Sequence, residues 1–132
     1  MKGIESKITR GLSTGSRLIC DDNSGAKIIQ IIGVKKWRSR KSRQPKVGIA
    51  DIVVVAVKKG TPQMRKKVET AVIIRQRQTI KRPIGYRLAF EDNAAILIDD
   101  QGLPKGTEIK GAIAREVADR YPKVAAIAAA VV

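Results

Sequence analysis

AKIIQIIGV (26–34) and IADIVVVAV (49–57) flank the loop KKWRSRKSRQPK (35–46), and these three runs decide how the chain is read. The flanking runs are short, β-branched and nearly continuous in apolar character, which marks strands buried on one or both faces. The connecting run has seven cations in twelve residues, with serines, a glutamine and a proline in place of apolar periodicity, so it is expected to project as a loop or irregular hairpin. The same bias holds throughout: 18 isoleucines and 12 valines stand against five leucines, a composition that favours pleated strands over helices.

Outward from this core, VETAVIIRQR, beginning at Val68, reads as a strand with Val72 and Ile74 on one face and Ile73, Arg75 and Arg77 on the other, because side chains alternate with period two. YRLAF (86–90) alternates with Tyr86, Leu88 and Phe90 together, and AAILIDD adds a last short strand before a turn around Gly102. After Gly106 the pattern is helical. Within AIAREVADR (112–120), Ile113, Ala114, Val117 and Ala118 form an apolar stripe, while Arg115 with Asp119 and Glu116 with Arg120 are opposed i,i+4 pairs. Pro122 stops that helix and can begin another. The expected fold is therefore mostly β: a small five-stranded β-barrel with a basic loop or hairpin and C-terminal α-helices. It forms one domain, residues 1–103 making the barrel body with its basic loops and 104–132 a helical appendage.

At 132 residues and 14.4 kDa the chain suits a single domain with a real core. Hydrophobic residues make up 43%, so a disordered basic tail is excluded. With no histidine and a single cysteine, Cys20, the sequence lacks the means for Ser/His/Asp or Cys/His catalysis, intramolecular disulfides and cysteine-rich zinc sites. Cys20, in RLIC, is read as a small core residue. Glu5 interrupts the N-terminus, which does not resemble a secretory signal. The longest apolar run, VAAIAAAVV (124–132), has nine residues where a bilayer needs about 20. A soluble intracellular protein with no membrane partner and no cofactor is expected.

The net charge is +15, with a sequence pI of about 10.5. Residues 35–87 hold 17 cations and two acids, Asp51 and Glu69, whereas the remaining 79 residues hold ten of each sign. The whole excess therefore belongs to one stretch and predicts one basic surface. It falls into three acid-free clusters: 35–46, KKGTPQMRKK (58–67) and RQRQTIKRPIGYR (75–87). A single such cluster could be a solvated face. Three in one domain repel one another unless a polyanion neutralises them, and closely spaced lysines and arginines suit phosphate oxygens whatever the base sequence. The residues expected to bind nucleic acid are Lys35, Lys36, Trp37, Arg38, Arg40, Lys41, Arg43, Lys46, Lys58, Lys59, Arg65, Lys66, Lys67, Arg75, Arg77, Lys81 and Arg82. Only four aromatic residues are present, too few for a stacking platform, so backbone and shape would be read. Trp37 either stacks or anchors between phosphates, or covers the barrel mouth.

The acidic pairs Asp21–Asp22, Glu91–Asp92 and Asp99–Asp100 could in principle hold Mg²⁺ for phosphodiester hydrolysis. Each lies beside a turn signal, where aspartate usually bonds the local backbone, and adjacent residues in an extended segment point apart. They are expected to form turns. A second alternative, a free-standing nucleic-acid chaperone or chromatin protein, is allowed equally by the charge.

Together, CDDNSGAKIIQIIGV (20–34), GIADIVVVAVKKGTPQMRKK (48–67), AVIIRQ (71–76), FEDNAAILI (90–98) and KGTEIKGAIAREVADRYPK (105–123) resemble the universal large-subunit ribosomal protein fourteen family in its archaeal and eukaryotic form. The segments occur in the family's order and cover nearly the whole chain. Two positions depart from its pattern: Ile84, where Asp or Asn usually precedes the glycine of the RRP-x-G turn, and Ala112, where proline is usual. The resemblance implies a five-stranded barrel and a structural, non-catalytic role in translation on the interface side of the large ribosomal subunit. Its implied partners are large-subunit (23S-type) rRNA, as the nucleic acid bound by the basic clusters, small-subunit (16S-type) rRNA at intersubunit bridges and neighbouring ribosomal proteins of the three and twenty-four-e types. An anti-association factor is implied near the C-terminal region. Residues 88–132 hold five cations and seven acids, a balance that suits reversible contact, so Lys105, Lys110 and Arg115 are the expected intersubunit residues.

Overall fold

The computed structural model describes residues 3, 8–35 and 43–132. In chain order the strands are β1 (Leu12–Ser13), β2 (Arg17–Cys20), β3 (Ala26–Val34), β4 (Lys46–Val47), β5 (Ile52–Gly60), β6 (Val68–Arg75), β7 (Ile80–Lys81), β8 (Arg87–Leu88), β9 (Ala94–Ile98) and β10 (Ile109–Ile113). Two short helices, α1 (Arg115–Arg120) and α2 (Pro122–Ala126), precede a last strand, β11 (Ala128–Val131).

Strands β2, β3, β5, β6 and β9 close into a barrel in that order. Four of the five pairings are antiparallel; an odd number of alternating strands can close only with one like-directed pair, and β2 with β9 supplies it. Period-two alternation fills the interior with Leu18, Cys20, Ile29, Ile31, Val53, Val55, Val57, Ala71, Ile73, Ala95 and Leu97.

The outer faces of β6 and β9 are buried as well. Val72, Ile74, Ala94, Ile96 and Ile98 form a second core with Ile109, Ile113, Ala114, Val117, Tyr121 and Val124 of the C-terminal segment. This explains why AVII and AAILI read as continuous apolar runs: both faces exclude water, and each buried isoleucine or valine contributes about 1.5–3 kcal/mol. The expected five-stranded barrel and C-terminal helices are thus present.

Several boundaries differ from the sequence reading. Ile49 and Ala50 form a turn in which Ala50 has φ 72°, so the strand starts at Ile52 and carries Lys58 and Lys59 to its end. YRLAF supplies only Arg87 and Leu88 to a two-residue pairing with β7. The C-terminal segment is not wholly helical: β10 and β11 pair in parallel, and β-branched Ile109 and Ile113 take strand geometry where the moment of an isolated helix was expected. The apolar stripe survives, with Ile113, Ala114 and Val117 fully buried and Pro122 opening α2. Ala114 caps α1 without a side-chain hydrogen bond.

Candidate nucleic-acid interface

The second basic cluster forms the best-defined cationic surface. β5 runs to Gly60, and the chain turns through residues 61–67 into β6, closed by Met64 N–H and Arg65 N–H donating to the Thr61 carbonyl (both 3.0 Å). Lys66 N–H bonds back to the Val57 carbonyl (3.1 Å), and the Lys66 backbone is left-handed at φ 63°. Thr61 N–H reaches the Gly25 carbonyl (3.0 Å), fastening the turn to the neighbouring barrel corner. Lys58, Lys59, Arg65, Lys66 and Lys67 are all exposed, and among the described residues none of the five forms an ion pair. A rigid backbone therefore presents five uncompensated charges.

The first cluster is described only at its ends. Lys36, Trp37, Arg38, Arg40 and Lys41 lie outside the described residues. Lys35 is exposed and pairs with Asp100 at 3.1 Å, a surface contact worth about 0–1 kcal/mol. Arg43 is exposed, and Lys46 is exposed on β4, which pairs with β1.

The third cluster divides. Arg77 and Lys81 are exposed, but Arg75 and Arg82 are only 8% and 5% exposed and are held by the chain's own acids. A register shift between Ile73 and Arg75 takes Arg75 out of the simple alternation read from the sequence. Its Nε and Nη2 donate to Asp92 (2.9 and 3.1 Å), and Nη1 donates to Asp21 (2.7 Å) and the Ala112 carbonyl (2.8 Å). Burial on its own lowers the Arg75 pKa, but the hydrogen bonds and charges of Asp92 and Asp21 outweigh it and the net shift is upward. Arg82 makes a fork to both oxygens of Glu116 (3.1 Å each) and also meets the Tyr86 hydroxyl and the Val132 carbonyl. For Arg82 too burial lowers the pKa, and the Tyr86 and Glu116 contacts raise it overall. Both arginines are clamps within the fold, and acids remote in sequence neutralise these two cations of a cluster that is acid-free in sequence.

The aspartates of the acidic pairs are likewise engaged. Asp22 accepts from Ser24 N–H, Ser24 Oγ, Cys20 Sγ and Leu97 N–H, and Asp99 accepts from Gln101 N–H and Leu103 N–H. These two are the expected turn-formers. Asp21 and Asp92 instead serve Arg75, a role no local pattern discloses. Among the described residues no three carboxylate or thiol groups gather where a metal ion could be held, and no helix is long and apolar enough to cross a membrane.

Of the C-terminal residues, Lys110 and Arg115 are exposed, whereas Lys105 pairs with Glu69 of β6. The two expected i,i+4 pairs do not form. Glu116 is taken by Arg82, Arg120 reaches the Ala50 carbonyl at 3.5 Å, and no ion pair joins Arg115 to Asp119 among the described residues. A buried, forked partner outcompetes an exposed helical one worth about 0.2–0.5 kcal/mol.

A closed five-stranded barrel whose surplus charge is cationic and exposed, with Asp21, Asp22, Asp92, Asp99 and Glu116 bonded to its own backbone and arginines, defines a basic small-barrel protein. Residues 11–132 match the family described as ribosomal protein L14p/L23e. Over 132 residues, the full length of each pair, the chain is 55% identical to large ribosomal subunit protein uL14 of Methanothrix thermoacetophila and 52% identical to those of Methanospirillum hungatei and Halobacterium salinarum. The chain belongs to the ribosomal protein L14p/L23e family. It is accordingly a structural, non-enzymatic component of the large subunit of the cytoplasmic ribosome, as the resemblance of residues 20–123 implied.

Proposed function

We propose that this ribosomal protein binds large-subunit rRNA through Lys58 and Lys59 at the end of β5 and Arg65, Lys66 and Lys67 of the turn that follows, extended by Lys35, Arg43, Lys46 and Arg77 and by Lys36, Trp37, Arg38, Arg40 and Lys41, which lie outside the described residues. The observation that supports this reading is the end of β5 with the pinned 61–67 turn, which together carry five exposed cations that form no ion pair among the described residues: in isolation they repel, and phosphates relieve that repulsion while releasing counterions. Lys105, Lys110 and Arg115 contact small-subunit rRNA across the subunit interface. Their support is exposure on a segment of balanced charge. Ribosomal proteins of the three and twenty-four-e types are the neighbouring partners, and an anti-association factor docks near the C-terminal region.

The test is binding of the purified chain to large-subunit rRNA fragments across a salt series. With about eight phosphate contacts, affinity falls roughly 10³–10⁵-fold between 50 and 200 mM salt, and Lys66→Ala with Lys67→Ala lowers both affinity and slope. An unchanged slope in that variant removes the turn from the RNA. Footprinting of the rRNA with and without the protein then locates the contact.

A further inference from the structure

The β7–β8 hairpin presents a second arrangement of charge and apolar surface that the turn at 61–67 does not explain. Its base is locked into the fold: Ile80 is buried, Leu88 packs on the second core, and Arg82 is clamped to Glu116 and the Val132 carbonyl. Its tip is equally tight. Gly85 N–H donates to the Arg82 carbonyl (3.0 Å), Arg82 N–H donates to the Tyr86 carbonyl (3.1 Å), and Gly85 takes φ 104°, open to glycine without strain. Tyr86 is held by its hydroxyl to Arg82 Nη1 at 3.0 Å.

Two unfavourable features are displayed on this rigid frame. Ile84 at the tip is 74% exposed, the most exposed large apolar side chain described. Behind it Lys81 and Arg87 stand directly opposite each other across the two strands, both exposed and, among the described residues, without an ion-pair partner. Like charges directly opposite on a ribbon are destabilising, and an anion seated between them reverses the sign of that interaction. An apolar tip flanked by cations also has the chemistry of a groove wedge, in which the side chain packs against sugars or base edges while the cations take the backbone phosphates.

We infer that this hairpin is a separate RNA contact, in which Lys81 and Arg87 straddle one phosphate and Ile84 inserts against the adjoining nucleotide. The inference rests on the rRNA-binding reading above but concerns a different element, anchored to α1 and the chain's C-terminal segment instead of to the β3–β5 corner.

The experiment uses the full chain assembled into large subunits. Cys20 is the only cysteine and is buried, so Ile84→Cys offers one reactive thiol for a tethered iron chelate that cleaves nearby RNA by hydroxyl radicals. Gln63→Cys, in the exposed basic turn, is the parallel probe. The expected result is a localised set of rRNA cuts from position 84 distinct from those of position 63. In rRNA binding, Lys81→Ala with Arg87→Ala lowers the salt slope by about one and leaves the fold unchanged by circular dichroism. Cuts from position 63 alone, or position 84 cross-linking only to a neighbouring protein, overturn the hairpin inference and leave the wider rRNA reading intact. Assembled subunits with no rRNA cuts from either position overturn both.

Discussion

Arg75 illustrates how a residue's role is set by its surroundings. Between Gln76 and a run of aliphatics it reads as one more cation of a basic strand end, yet it joins β6 to the loop after β2, to Asp92 and to the β10 backbone. Arg75→Ala leaves two carboxylates and a carbonyl without their donor, and we expect a loss of about 3 kcal/mol in urea unfolding. Its salt slope for rRNA should match that of the unsubstituted chain, because the guanidinium is not on the exposed surface. Cys20 meets the sequence expectation of a core residue. Burial, and then the Asp22 carboxylate, push its thiol from the ordinary 9.0 up to about 12. The thiol therefore stays protonated in the fold while the unfolded chain ionises near pH 9, so its contribution is fully present below pH 9 and is lost as pH rises towards 12. The slope is at most about 1.4 kcal/mol per pH unit. Cys20→Ala should flatten the decline in stability between pH 9 and 11 measured by urea titration, and the native thiol should resist alkylation at pH 8.

Among the elements, the 61–67 turn depends on how closely β3 and β5 approach. A Cβ at Gly60 would lie 2.6 Å from the Gly25 carbonyl oxygen and 3.0 Å from the Ala26 Cα, both backbone atoms that cannot swing aside. Gly60→Ala must therefore open the corner that holds Thr61. We expect a loss of about 1–3 kcal/mol, with weaker rRNA binding although no cation is removed, measured by unfolding and by filter binding. The barrel strands were legible because their apolar runs are too short and too β-branched for helices. β10 and β11 were not, because IKGAI and AAAV satisfy helical and strand patterns alike and only their mutual pairing decides between them.

For the whole molecule, charge is separated along the chain: the surplus of cations belongs to residues 35–87, while the C-terminal segment is nearly balanced and supplies the second core's cover. Large subunits carrying Lys110→Glu with Arg115→Glu should retain the protein yet join small subunits less well at low Mg²⁺, as read by sucrose-gradient sedimentation. Normal joining with failed incorporation would mean that the two faces are exchanged. Neither substitution removes a described ion pair, so the fold should be unaffected.

What the sequence by itself determined is whatever local pattern controls: β-branched alternation for the barrel, Pro122 for the break between helices, Asp22 and Asp99 beside their turns, and a cationic stretch with no acids among its clusters. Only the tertiary structure decided which of those cations remain available. Asp21 and Asp92 lie 54 and 17 positions from Arg75, and Glu116 lies 34 from Arg82, so barrel closure and docking of the C-terminal segment had to bring them together. Exposed charges keep the character their sequence suggests because water surrounds them whatever the fold. Buried charges must find opposite partners, and that requirement is met through space, not along the chain.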